Sequence, residues 1–272
     1  MRIAILLPGE PRFTGDFRIF VNNLKGYDQA DWFCYLTNNY TPPDPSYKTV
    51  KWDPTLHTDE EWEKNSPRFH HGTIPNSWAN YGKKWAIDKI TEHLPSNNSI
   101  KGFEISDVES QTWPDVVSLY EKYGKSDLMK WYTPRRIFSQ FYNIFKSNQL
   151  RTEYEKLHNF KYDLVIRTRA DSALLNEVDL RNFNLGPNTI ILPDNDWHGS
   201  STPINDQFAF GNSDNMTIYT DLVNHIKMYN DRGVDLGPET LLGYHLTVNN
   251  ISYQRGGFRQ LCRTVIDDPS WH

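Results

Sequence analysis

The chain is poor in the features that would assign it quickly. Two cysteines, Cys34 and Cys262, stand among 272 residues. That is too few for a disulfide framework or a cysteine-rich zinc site; two reduced thiols are expected, with a single bridge between them as the alternative. No apolar run approaches the ~20 residues that a membrane-spanning helix needs. The opening Met1-Arg2-Ile3-Ala4-Ile5-Leu6-Leu7 is cut by Pro8-Gly9-Glu10 before it reaches the length of a secretory core. A soluble, cytoplasmic protein is expected. Lysine and arginine are scattered under a net charge of -5, so the footprint of a nucleic-acid binder is absent. No GxGxxG or Walker-type loop occurs, which leaves a dinucleotide fold or a P-loop ATPase without support. No Gly/Ser-rich or Pro-rich linker divides the chain, and no repeat or low-complexity tract recurs. Residues 1–272 are therefore read as a single domain.

What the chain does have is aromatic side chains, 14% of the total, with 9 Trp and 15 Tyr. An apolar face with a polar handle suits sugar binding, and plain core filling accounts for most of them equally well. The most informative stretch is Tyr162-Asp163-Leu164-Val165-Ile166-Arg167-Thr168-Arg169-Ala170-Asp171-Ser172. Leu164-Val165-Ile166 reads as a buried strand that ends abruptly in charge. If the backbone stays extended, Arg167, Arg169 and Asp171 point to one side. Two guanidiniums suit a diphosphate, and a carboxylate suits a hard divalent cation between phosphates. The carboxyl end of a strand is where open α/β sheets bind ligands. The plain alternative is an ion pair at a strand end.

Residues 3–7 are apolar without alternation, as in a parallel strand buried on both faces. Phe17, Phe20, Val21 and Leu24 recur at helical spacing up to Gly26, and residues 30–36 form a second strand, a βαβ opening. Residues 48–52 suggest a short strand. Residues 53–82 carry little periodicity and read as a long loop, a possible lid over the site. Helices are expected over 83–94, 115–123, 134–157, 215–229 and 238–249. Strands are expected over 102–105, 189–192, 207–210 and 251–254, with a loop for the tail. Strand, helix and strand in alternation predict an α/β fold with a central, mostly parallel sheet flanked by helices.

Three further constellations carry possible chemistry. Pro8, Gly9, Glu10 and Arg12 form the loop after the first strand. Gly9 would let a base or ribose approach the backbone, and Arg12 could reach a phosphate; a tight turn is the bland alternative. In Asn205-Asp206-Gln207-Phe208-Ala209-Phe210-Gly211, Asp206 is a candidate general base or a binder of sugar hydroxyls, and equally a strand-start cap. The loop before it, Asp194-Asn195-Asp196-Trp197-His198-Gly199, could cover a sugar, though a solvated turn explains Asp194 and Asp196 as well. In Gly237-Pro238-Glu239-Thr240-Leu241-Leu242, Pro238 fits a first helical position and Glu239 the first turn, which explains Glu239 without function. His245, deeper in that helix, reads as a satisfied buried histidine.

These residues together resemble a group of small GT-A-like glycosyltransferases from viruses and microbes. Residues 2–12 resemble their opening strand and loop. Gln140-Phe141-Tyr142-Asn143-Ile144-Phe145 followed by residues 162–171 is similar to their helix and metal-motif strand. Residues 205–211 and 238–242 resemble their downstream motifs, and residues 40–130 match only loosely. The resemblance implies a GT-A-like (Rossmann-like) domain. It also implies a nucleotide-sugar donor with uridine or guanosine diphosphate as leaving group, and Mn²⁺ or Mg²⁺ on the diphosphate. Asp171 matches the last aspartate of the Asp-x-Asp metal motif, but the first position here is Arg169. That departure puts strong metal dependence in question, since an arginine can neutralise a diphosphate directly.

The expected reaction is sugar transfer from the nucleotide diphosphate donor to an acceptor hydroxyl, on a glycan. Arg12, Arg167 and Arg169, with a metal on Asp171, would stabilise the leaving diphosphate. Asp206 is the first candidate for acceptor activation and Glu239 the second. The alternatives are a sugar nucleotidyltransferase, which would usually show a Gly-rich loop with a lysine, and a carbohydrate-binding protein without catalysis.

Overall fold

The computed structural model describes residues 1–9, 15–38, 87–88, 90–107, 116, 119, 134–194 and 204–262. Its first strand, β1 (Arg2–Gly9), is buried along its whole middle. Ile3, Ile5 and Leu7 enter the core on one face of the sheet, and Ala4 and Leu6 enter the core on the other. This is why the run is apolar without alternation. Helix α1 (Gly15–Asn23) lays Phe17, Phe20 and Val21 against the first face. The two-residue β2 (Leu24–Lys25) follows, and Gly26 at φ 85 turns the chain toward β3 (Gln29–Asn38). β3 pairs in parallel with β1, closing the βαβ unit. β4 (Asn98–Asp107) extends the sheet, again in parallel, and is much longer than the residues 102–105 expected for it.

Helix α2 (Pro134–His158) crosses back over the second face, burying Ile137, Phe138, Phe141 and Ile144. Its last turn holds the basic residues Lys156 and His158, and the lysine's charge suits the negative end of the helix dipole. Arg151, fully buried on this helix, binds Asn148 (2.8 Å), Glu155 (2.9 Å) and Thr217 (2.7 Å) as well as Ser213. β5 (Leu164–Arg167) then pairs in parallel with β1 on the side away from β3. Short β6 (Ser172–Leu174) and β7 (Val178–Asp179) lead to β8 (Thr189–Leu192). β9 (Ala209–Gly211) follows. α3 (Ser213–Thr220) is capped by the Asn212 side chain, which accepts from Asn215 N–H at 2.8 Å. α4 (Ile226–Asp231), α5 (Pro238–Val248), β10 (Ser252–Arg255) and β11 (Gln260–Cys262) complete the order.

The main sheet runs β10-β8-β9-β5-β1-β3-β4. All its pairings are parallel except those of β9, which is antiparallel to both β5 and β8. Helices flank both faces, so the mixed α/β architecture with a central, mostly parallel sheet is observed. The chain lays β3 and β4 outward from one side of β1 and returns with β5 on the other. The order therefore reverses between β1 and β5, a topological switch point.

Several sequence expectations change. The helix expected over 215–229 is two helices separated by a 3₁₀ turn at Asp221–Asn224. The tail is not all loop, since β11 pairs antiparallel with β6. Strand β9 starts later than residue 207 and includes Gly211. The strand at 48–52 and the lid at 53–82 lie outside the described residues. Of the helices expected over 83–94 and 115–123, the described positions 87–88, 90–93, 116 and 119 are helical. No helix among the described residues is long and apolar enough to cross a membrane.

Candidate functional site

The switch point fixes where to look. β1 ends in Pro8-Gly9 and β5 ends in Arg167, so both finish at the same carboxyl edge. Gly9 has φ 101, a region that L side chains rarely adopt, and a Cβ built on it meets no atom of the described residues within 4 Å. The turn thus needs glycine for its backbone. Glu10 and Arg12, the rest of that loop, lie outside the described residues.

After Arg167 the chain does not stay extended. Thr168 N–H still donates to Leu6 O at 3.1 Å, but Ser172 N–H folds back to Arg169 O at 3.2 Å. This turn overturns the expectation that Arg167, Arg169 and Asp171 line one side. Arg167 is buried on the face that α2 covers, following Val165 by the two-residue period of the strand. Arg169 and Asp171 instead form a two-pronged ion pair, Nε to Oδ1 at 2.7 Å and Nη2 to Oδ2 at 2.8 Å. Asp171 is buried within this fork while Arg169 remains partly exposed. Both Asp171 oxygens already accept from a guanidinium. Among the described residues no three His, Cys, Asp or Glu side chains converge as metal ligands. As arranged, both Asp171 oxygens serve Arg169.

The reversed strand explains the next component. Because β9 runs opposite to β5, with Arg167 beside Ala209, its amino end lies at the carboxyl end of β5. The turn that precedes it, Asn205-Asp206-Gln207, is thereby delivered to the edge that carries Arg167. Asp206 is buried and accepts a short hydrogen bond from Gln140 Nε2 on α2. Asn205 Oδ1 accepts from Gln207 N–H (2.8 Å) and Phe208 N–H (3.1 Å), an Asx turn that shapes the chain around Asp206.

Tyr219 is fully buried on α3 and feels the charges of both Arg167 and Asp206. Burial pushes its phenol up to about 12; Arg167 draws it back down and Asp206 pushes it further up. Tyr219 OH, Thr168 Oγ1 and Gln207 Oε1 are buried and find no hydrogen-bond partner among the described residues. Thr168 directly follows β5, Gln207 shortly precedes β9, and Tyr219 lies on α3, which packs on β5. Native interiors leave few such atoms, and those they leave point to bound water or ligand.

Glu239 is buried in the first turn of α5, behind Pro238, as the helix-start reading expects. Its helix packs on α3, which carries Tyr219. His245 is the satisfied core histidine that the sequence suggests. Its Nε2 meets the Ile218 carbonyl at 2.8 Å and must donate there, which leaves Nδ1 to accept from Tyr229 OH at 2.8 Å. Asp194 is likewise structural, its Oδ1 accepting from Gly257 N–H at 2.9 Å. Cys34 is a free, buried thiol whose pKa is raised by burial.

The structure therefore brings the Asp206 turn to the edge where β5 ends in Arg167, the edge that also holds the Pro8-Gly9 turn. It adds Gln140 and Tyr219, which sequence reasoning missed as site residues. Gln140 stood in a quoted motif, but its role depends on a loop 66 positions away. No protein-family model matches this chain, and no curated protein sequence matches it.

Proposed function

We propose that this chain is a GT-A-like glycosyltransferase that moves a sugar from a UDP- or GDP-sugar to an acceptor hydroxyl on a glycan. The observation that carries the reading is that the antiparallel β9 delivers the Asp206 turn to the same sheet edge where β5 ends in Arg167. A buried carboxylate and a buried guanidinium, with bare polar atoms between strand ends, suit a substrate that brings anionic oxygens and hydroxyl groups together. A nucleotide sugar does so.

In the proposed reaction the acceptor oxygen bonds to the anomeric carbon as the bond from that carbon to the diphosphate oxygen breaks. Asp206 takes the acceptor proton, with Gln140 holding its other side. The electron pair leaves on the diphosphate, where Arg167 and Arg169, with Arg12 from the first loop, offset the developing charge. Asp171 orients the Arg169 fork. A single carboxylate base suits inversion at the anomeric carbon. Mn²⁺ or Mg²⁺ would have to share Asp171 with Arg169, and no step is assigned to it.

The test is a thermal-shift panel of UDP, GDP, CDP, ADP and their common sugar conjugates, with and without Mn²⁺. A ligand that binds only the folded state raises the melting temperature by mass action. A shift with one nucleotide and its sugars, little changed by Mn²⁺, is the expected result. No shift from a folded sample would sink the proposal, and a shift with free sugars alone would favour a non-catalytic carbohydrate-binding protein.

A further inference from the structure

A line of three buried side chains joins the turn that carries Asp206 to the loop that carries Asp171. It starts at Asn205, whose Oδ1 accepts from two backbone N–H groups. That double contact fixes the amide orientation, because a flipped amide would set its NH₂ against two donors. Asn205 Nδ2 must then face the other way, and it donates to Gln260 Oε1 at 3.3 Å. Gln260 is fixed in turn. Its oxygen faces Asn205, so its Nε2 faces Ser172 and donates to Oγ at 3.0 Å. Ser172 directly follows Asp171. Asn205, Gln260 and Ser172 are 1%, 0% and 0% exposed, so bulk water cannot substitute for any of these bonds. The antiparallel pairing of β11 with β6, with Gln260 opposite Leu174, holds the bridge in register.

We infer that Gln260 is a positioning residue for the site: it sets the separation between the Asp206 turn and the Arg169–Asp171 fork. Its kinetic consequence rests on the proposed glycosyl transfer, while its geometric consequence does not. Gln260 suits the task because it offers an acceptor at one end and a donor at the other. Gln260→Leu fills similar space but removes the bond that holds Asn205 Nδ2 and the bond to Ser172 Oγ. Gln260→Glu, kept neutral by burial, retains an acceptor toward Asn205 and a donor toward Ser172.

Two measurements on wild type, Q260L and Q260E test the inference. The first is amide hydrogen exchange at Gln207 and Phe208, the N–H groups that Asn205 holds. Q260L should exchange roughly tenfold faster or more there, the loss expected for one hydrogen bond. Q260E should match wild type, and the β1 amides should be unchanged in both. Unchanged exchange at Gln207 and Phe208 in Q260L overturns the inference. If the β1 amides of Q260L also open, the variant has lost its fold, and Ser172→Ala replaces it as a cut at the far end of the line; the same two amides must then exchange faster, or the inference fails.

The second measurement is turnover with the donor identified by the thermal-shift panel. In Q260L, kcat should fall on the order of 100-fold with KM nearly unchanged, the cost of a misplaced catalytic group. Adding Q260L to Asp206→Asn should cost nothing further, since the positioned group has already gone. An equal further loss in that background overturns the inference. A wild type that binds no nucleotide sugar sinks the proposed function, and the exchange result alone then judges the bridge.

Discussion

At the amino edge of the sheet, fully buried Asp31 accepts from Tyr162 O–H (2.7 Å), Arg2 (2.7 Å), Ser99 (2.8 Å) and Gln29 (3.1 Å). Arg2 in turn lies over the Phe160 ring at 4.0 Å. At the carboxyl edge, Asp206 shares its surroundings with Thr168, Gln207 and Tyr219, each with a buried polar atom that lacks a partner among the described residues. Both edges bury a carboxylate. Among the described residues, one has its hydrogen-bonding capacity filled and the other keeps capacity in reserve. A closed network specifies structure, and the open one is where the proposed substrate would bind. The same closed character marks Arg151, whose guanidinium is bonded to four side chains between α2 and α3. The contrast predicts that substitutions at the two edges will be read by different assays.

The largest effect is expected from Asp206→Asn. Turnover should fall about 1,000-fold, within the range for loss of a general base, with the melting temperature nearly unchanged. Turnover at the wild-type rate would mean that the open edge is not catalytic. The amino edge should behave oppositely. Asp31→Ala should cost about 3 kcal/mol in urea unfolding, the low end for breaking a buried ion pair because Arg2 is partly exposed. Nucleotide affinity should stay as in wild type.

The closed edge should also set the pH range of stability. Burial raises the Asp31 pKa, but hydrogen bonds from Tyr162, Arg2 and Ser99 outweigh it and leave the value below the ordinary carboxylate range. Its stabilisation is therefore present above about pH 3.9, the unfolded value, and is lost as pH falls through the lowered folded value. The Tyr162 phenol is raised by burial and then by its bond to Asp31. That stabilisation is full below about pH 10 and is lost as pH climbs toward the folded value. A melting curve recorded across pH should be flat in the middle and fall at both ends, and Tyr162→Phe should flatten the alkaline arm.

Arg167→Lys sharpens the reading of the open edge. It keeps the charge and loses the planar fork, so nucleotide affinity by calorimetry should fall about 10- to 100-fold, the value of a charged hydrogen bond or two. Affinity equal to wild type would remove Arg167 from the donor site. The smallest effect is expected from Gly9→Ala. At φ 101 a Cβ is strained, and stability should drop by about 1 to 2 kcal/mol.

How legible each region was follows from what holds it. The strands near residues 3–7, 30–36 and 189–192 are apolar runs, and their burial on both faces is written in those residues alone. The helix around residues 134–157 shows its stripe for the same reason. The break within 215–229 has no Gly or Pro to announce it. There Asp221 accepts from Asn224 and meets His225 Nε2 at 2.9 Å, local side-chain bonds that compete with regular helix. β11 carries no strand pattern of its own and exists because β6 offers it a partner. The Arg-x-Arg-x-Asp spacing marked the right edge, but the turn at residues 169–172 changed its geometry. Asp206 could be nominated from sequence. Its companions Gln140, Tyr219 and Gln260 could not, because each joins it through the fold rather than along the chain.

The pairing of β11 with β6 has a consequence for how the protein is made. Ser172 leaves the ribosome 88 residues ahead of Gln260. At ordinary elongation rates that interval is roughly 5 to 20 seconds. During it the parallel strands β1, β3, β4 and β5 can already associate. The clasp between the two halves of the candidate site closes only afterwards, so a nascent chain can hold an assembled sheet well before its chemistry is in register.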